Sequence, residues 1–376
     1  MSKHYHIVMP LLLILLLAAT QVNAQTGRWD GADNQPVSPL ACPGADDNGL
    51  DETEPPYNGG QPTNAPSLRG QPITVVNLRQ PISASYDAAV AKGMSDAANE
   101  LGNVELINGN LSVVSVSQQA ALLDEYIFGE VSGILVAAVD AQQDVSPSLR
   151  AALDAGIHVI SYETDAEVRA REWFVRPAED NAIAKILIDS LAEQAGENAG
   201  FAILTSEYDS PAAARLIAEI WAYVQQCYPG MEWLETAETQ SDPTLAYNQA
   251  AILSRDYGGD LNGLVSVSIA ATANAANAVS QQGRCNSVAV VGLAAPGDVR
   301  PHINSGCMQS AVLWNPIDLG YAAVHVMRAV ADGALQPGNT SVRAGRLGEL
   351  PIVNGSEILL DEPLVIDARN VNDLDF

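Results

Sequence analysis

Residues 288–321, VAVVGLAAPGDVRPHINSGCMQSAVLWNPIDLGY, constrain the fold more than any other stretch of the chain. An apolar run at 288–291 enters a Gly/Pro turn and a short amphipathic segment. A second apolar run at 308–313 ends in a turn that opens another helical pattern. Two buried strands joined by a helix within about 25 residues form a βαβ unit and lie parallel. The same alternation runs back along the chain. Apolar runs at 73–78, 104–107, 133–139, 158–162, 201–204 and 264–268 alternate with helix-period stretches at 86–101, 117–128, 178–195, 211–228, 243–255 and 270–282. Most of these runs are continuously apolar, as strands covered on both faces are. The pattern predicts an α/β fold built of doubly wound parallel sheets with helices on both faces. Ligands in such sheets bind beyond the carboxyl ends of the strands, which puts the chemistry in the loops that follow each run.

A chain of 376 residues is too long for one ordinary core, so two lobes are expected. The rhythm breaks at 171–177, REWFVRP, and a second junction is expected near 314–316. The predicted organisation is a leader at 1–24, an acidic Pro/Gly-rich arm at 25–70, a first lobe of 71–174 plus 316–338, and a second lobe of 175–315 plus 339–376. The leader reads as an export signal. Lys3, His4 and His6 precede the apolar run 9–19, and Val22-Asn23-Ala24 forms a cleavage site. That run is shorter than the ~20 residues of a bilayer span. Few apolar residues occur in the arm, so it cannot order itself alone.

The formal net charge is −27, with three lysines against fifteen arginines. Nucleic acid needs a basic face and is excluded as a partner. Four cysteines in an exported chain suggest disulfides, and the absence of a C-x-x-C spacing argues against zinc. Cys285 and Cys307 each precede one of the two parallel strands of the opening unit, at the same sheet edge and close enough to bridge. Closing that loop adds roughly 3 kcal/mol. Cys42 and Cys227 then pair by elimination.

The wording VVG-x-x-x-P-x-x-x-R-P at 290–301, followed by LW-x-x-x-x-x-G at 313–320, resembles the periplasmic sugar-binding proteins of ABC importers. The similarity covers residues 72–376 and is greatest to their rhamnose- and autoinducer-2-binding branch. It implies a type I two-lobed clamp, with the ligand between lobes that close about a hinge. Candidate contacts follow the strands. Arg79 and Gln80 follow the first, and an arginine can grip hydroxyls or a carboxylate bidentately. Asp140 follows the 133–139 run, and an ionised Asp accepts up to about four hydrogen bonds. Glu163 and Asp165 follow the next; the autoinducer-2-binding relatives carry an Asp at the position of Glu163. Asp209 and Arg215 come next, the latter in an Ala213-Ala214-Arg215 triplet similar to a ribose-binding relative's helix start. Ser268 and then Trp314 and Asn315 complete the set, with the Trp314 face suited to a sugar's C–H face. Ala212-Ala213 replaces an Asp-Gln pair of the autoinducer-2 branch, Val267 and Ile269 replace its Pro and Ala, and Leu293-Ala294 stands where ribose-type proteins carry an Asp.

No G-x-S-x-G, H-E-x-x-H, P-loop or G-x-G-x-x-G after a strand occurs. Two acids on one turn, such as Glu163 and Asp165, do not face each other across a glycosidic bond. The expectation is a monomeric periplasmic solute-binding protein, without catalytic activity, cofactor or metal, that delivers a sugar or polyol to an ABC permease in the inner membrane. A deoxyhexose such as rhamnose leads. The alternatives are the same clamp acting as a sensor for a chemoreceptor or kinase, and a periplasmic sugar-acting enzyme.

Overall fold

The computed structural model describes residues 56–109, 111–139, 145–207 and 210–376. The first lobe begins with β1 (Ile73–Leu78), α1 (Ala84–Leu101), β2 (Val104–Asn108), α2 (Val116–Phe128), β3 (Gly133–Val136), α3 (Ser146–Asp154), β4 (His158–Tyr162) and β5 (Trp173–Arg176). The chain then crosses to a second lobe. There follow α4 (Asp180–Ala195), β6 (Gly200–Thr205), α5 (Pro211–Cys227), β7 (Glu232–Glu238), α6 (Pro243–Asp256), β8 (Gly263–Ser266), α7 (Ile269–Gln281), β9 (Ala289–Gly292), α8 (Pro296–Asn304) and β10 (Ser310–Leu313). A second crossing leads back into α9 (Pro316–Ala331), β11 (Ser341–Arg343), β12 (Glu349–Val353) and β13 (Glu357–Leu359). A third delivers β14 (Leu364–Asp367) to the second lobe.

The first sheet has the order β11-β12-β13-β5-β4-β3-β1-β2, parallel from β13 to β2 and antiparallel in the β11–β12–β13 meander. The second runs β7-β6-β8-β9 in parallel and continues through a Leu293–Val312 bridge to β10, which pairs antiparallel with β14. Strands β1, β3, β4 and β6 are buried almost throughout, as strands covered on both faces must be. One expectation is corrected. Residues 341–359 add to the first sheet, with Glu357–Leu359 registered on Phe174–Arg176, so the second lobe does not own the whole of 339–376. The end of the predicted arm is also ordered, because the body supplies what its own composition lacks.

That docking is a strap of residues 57–71. The Tyr57 ring packs on Trp173 with centroids 4.9 Å apart, and its hydroxyl donates to the Glu172 carbonyl. Gly60 N–H donates to Arg171 O, Thr63 N–H to Leu153 O and Leu68 N–H to Ala331 O, while Arg328 donates to the Leu68 and Gln71 carbonyls. These partners sit at the amino end of β5 and the carboxyl ends of α3 and α9, on the side away from the cleft.

Helix α1 shows how local sequence sets this frame. Ser83 caps it by accepting from Tyr86 N–H, and Gly102 ends it in the left-handed region at φ 69°. Its buried stripe, including Val90, Gly93, Met94 and Ala97, faces α9. The two helices cross at backbone contact: a Cβ on Gly93 would stand 1.8 Å from Ile317 O, and one on Gly320 2.2 Å from Val90 O.

Candidate functional site

Both sheets aim their carboxyl strand ends at one cleft of about 730 Å³. The first lobe contributes Gln80 after β1, Val139 after β3, Glu163 and Thr164 after β4, and Phe174 and Arg176 from β5. The second lobe contributes Ser206 and Glu207 after β6, 210–216 at the start of α5, Val267 to Ala270 after β8, and Leu293 after β9. Trp314 stands at the second crossing.

Glu163 is the most constrained of these groups. It occupies the left-handed region at φ 64°, where Thr164 N–H closes a three-residue turn onto Tyr162 O. A non-glycine residue held there is strained, and such strain collects at functional sites. Its buried carboxylate is met by Arg79 Nη2 at 3.3 Å. Burial pushes its pKa up from the usual 4.5, against the opposing pull of Arg79 and with a further push from Asp87.

Arg79 itself is buried behind the cleft wall and does not line it. It pairs with Asp87 at 2.5 Å and lies 5.3 Å from the Tyr86 ring centroid, so its work is to hold Glu163 rather than a solute. Asp165 is also turned away. It accepts from Arg171 Nε at 3.0 Å and Nη2 at 2.9 Å, and from Ser161 at 2.5 Å, and so neutralises a guanidinium with no exposure to solvent. Asn315 caps α9, its Oδ1 accepting from Ile317 and Asp318 N–H, and does not line the cleft. Asn, Asp and Arg after a strand serve caps and buried pairs as readily as ligands, and sequence alone does not separate these uses.

Gln80, Glu163, Arg215, Ser268 and Trp314 do come together in the cleft. Arg215 is half exposed and holds Asp180 at 3.3 Å through Nε. Trp314 donates from Nε1 to the Tyr86 hydroxyl at 2.8 Å, with the rings edge-on. Asp140, Asp209 and Cys42 lie outside the described residues. Cys285 and Cys307 are bridged with an S–S length of 2.04 Å, and Cys227 is disulfide-bonded too.

Sequence reasoning missed Phe174, Arg176 and Asp180. Arg176, the last residue of β5, reaches Asp180 at 3.0 Å, Glu179 at 3.3 Å and Glu357 at 3.2 Å. Asp180 thereby joins an arginine from each lobe. The signal was the REWFVRP break: residues flanking a crossing between lobes flank the cleft as well. Chemically, the cleft offers donors at Gln80, Arg176, Arg215 and Ser268, acceptors at Glu163 and Asp180, and apolar faces at Phe174 and Trp314. Among the described residues each of these arginines faces an acid, and Glu163 faces Arg79. Among the described residues no cluster of three or more His, Cys, Asp or Glu is arranged to hold a metal, and no helix is long and apolar enough to cross a membrane.

Two α/β lobes joined by three crossings, with a cleft between their carboxyl strand ends, define a type I periplasmic binding protein. The family model described as "Periplasmic binding protein domain" matches residues 75–335, and the chain belongs to this family. Among curated relatives, the ABC transporter periplasmic-binding protein YphF of Escherichia coli (strain K12) is 24% identical over 240 residues, covering 61% of this chain and 71% of YphF. Similar solved structures include an ABC transporter solute-binding protein from Clostridium phytofermentans with bound L-rhamnose. It has 20% identity and a TM-score of 0.73, over 81% of this chain and 98% of that one. LsrB from Clostridium saccharobutylicum in complex with AI-2 has 18% identity and a TM-score of 0.74, over 81% of this chain and 100% of that one.

Proposed function

We propose that this protein is the exported, non-catalytic solute-binding component of an ABC importer. It takes a neutral monosaccharide or polyol into the cleft in the periplasm, closes over it as a monomer, and presents it to an inner-membrane permease. The observation that carries the reading is Glu163, a buried, strained carboxylate held on the cleft wall by a buried arginine, opposite donors and two aromatic faces. Such a site suits hydroxyl groups, which donate to the carboxylate while their C–H faces pack on Phe174 and Trp314. Each cleft arginine is already engaged by an acid, which disfavours sugar acids and sugar phosphates. The apolar part of the second-lobe wall, Ala212, Ala213, Ala214, Val267, Ile269 and Leu293, suits C–H and methyl groups, which favours a deoxyhexose such as L-rhamnose. A relative seen with L-rhamnose supports that choice.

The test is a thermal-shift screen of pentoses, hexoses, deoxyhexoses, polyols and uronates, followed by calorimetry on the hits. A ligand that binds only the folded chain raises its melting temperature by mass action. L-rhamnose or another neutral sugar is expected to shift the melt, and uronates are not. Glu163→Gln is expected to weaken the hit by roughly 10- to 100-fold, the loss of a hydrogen bond to a charged group. A flat screen, or an unchanged affinity in Glu163→Gln, rejects the reading.

A further inference from the structure

Arg176 and Arg215 both line the cleft, but their guanidinium groups are used differently. Arg176 spends its whole fork. Its Nη1 donates to Glu357 at 3.2 Å, and its Nη2 meets Asp180 at 3.0 Å and Glu179 at 3.3 Å. Its backbone carbonyl is fixed as well, accepting from Leu360 N–H at 2.9 Å. Arg215 gives only Nε, to Asp180 at 3.3 Å, and among the described residues neither of its Nη groups makes a hydrogen bond. Both arginines thus meet on one oxygen, Asp180 Oδ2. Asp180 is the first residue of α4, where a helix N-terminus favours a carboxylate. Arg215 stands on the second turn of α5, whose start is capped by Ser210, the hydroxyl accepting from Ala213 N–H.

The contacts run in series: Glu357 holds Arg176, Arg176 holds Asp180, and Asp180 holds Arg215. The first two residues belong to the first lobe and the last two to the second, so the series spans the first crossing. A half-exposed arginine swings among many rotamers, and a partner on Nε removes that freedom while leaving the planar fork open. Two parallel N–H donors in one plane match two neighbouring oxygens. The positive charge is already met by Asp180, so the open fork suits neutral hydroxyls. We propose that Asp180 is a positioning residue, fixing Arg215 through Nε so that its two open Nη groups donate to adjacent hydroxyls of the solute. The proposal rests on the reading of the cleft as a sugar site, but the hold of Asp180 on Arg215 is measurable without solute.

Calorimetry with L-rhamnose on the full mature chain tests this through a double-mutant cycle of Asp180→Asn and Arg215→Met. Asp180→Asn is expected to weaken binding by about 10-fold in the otherwise intact protein, the scale of one charge-assisted hydrogen bond. Once Arg215→Met is present, it is expected to have no further effect. A loss of equal size in both backgrounds overturns the proposal, because an Asp180 that touches the solute itself, or merely supports the fold, acts without Arg215. Unchanged affinity in Asp180→Asn overturns it too. Should Asp180→Asn fail to fold, Asp180→Glu, which keeps the charge but displaces it by one methylene, takes its place in the cycle. In solute-free protein, the Arg215 Nε–H resonance of an arginine-labelled spectrum is identified by its absence in Arg215→Met. It is expected to exchange slowly with water and to be lost in Asp180→Ala, and a resonance indifferent to that change overturns the hold. No L-rhamnose binding beside a resonance that responds counts against the sugar reading alone. Binding beside an additive cycle counts against Asp180 alone.

Discussion

Glu163 and Asp165 stand two residues apart and do opposite work. Glu163 faces the cleft with a pKa raised by burial, so its protonation favours the folded chain. That contribution is complete below the unfolded value of 4.5 and is lost as pH rises through the higher folded value. Solute affinity runs the other way, because the carboxylate is the acceptor. Calorimetry across a pH series is expected to show binding weaken on acidification, starting above the range of an ordinary glutamate, with the dependence flattened in Glu163→Gln. Asp165 instead neutralises the inaccessible Arg171. Asp165→Ala is expected to destabilise the protein by about 3 kcal/mol in denaturant titrations, since it strands a buried cation, and to leave solute affinity unchanged. The strand-end rule brought both acids into view but could not separate them. What separates them is the side each carboxylate meets: Glu163 lines the cleft, while Asp165 is engaged by Arg171 away from it, a fact of tertiary structure.

Among the elements, the long buried strands and their helices were legible because burial on both faces leaves an unbroken apolar run. Strand β5 was not, having four residues that end in an arginine and run into Pro177, nor was β7, a partly exposed edge strand. The three- to five-residue strands β11 to β13 exist only because β5 offers an edge to pair with, so no local pattern announces them. The α1–α9 crossing was equally hidden: Gly93 and Gly320 sit inside good helical periods, and only their contact distances show why no side chain fits there. Gly93→Ala is expected to push the helices apart and lower stability by about 1–3 kcal/mol, the usual penalty of overpacking, as read from the denaturation midpoint. Gly102→Ala, with open space around its Cβ but a positive φ, tests backbone strain separately from packing.

At the scale of the molecule, the two-lobed clamp was readable from the strand–helix rhythm and its break at REWFVRP, whereas the third crossing was not. Its consequence lies in the order of synthesis. The first sheet is incomplete until β13 has been made, and β10 has no partner on its outer edge until β14 follows a few residues later. Arg300 and Gly297 wait longer still, for the carbonyls of Val371, Leu374 and Phe376. Neither half of the clamp is a continuous piece of chain, so neither can be finished by a ribosome that stops early. Both sheets therefore close only through residues 341–367, and the segments that precede them hold open edges in each half until those strands arrive.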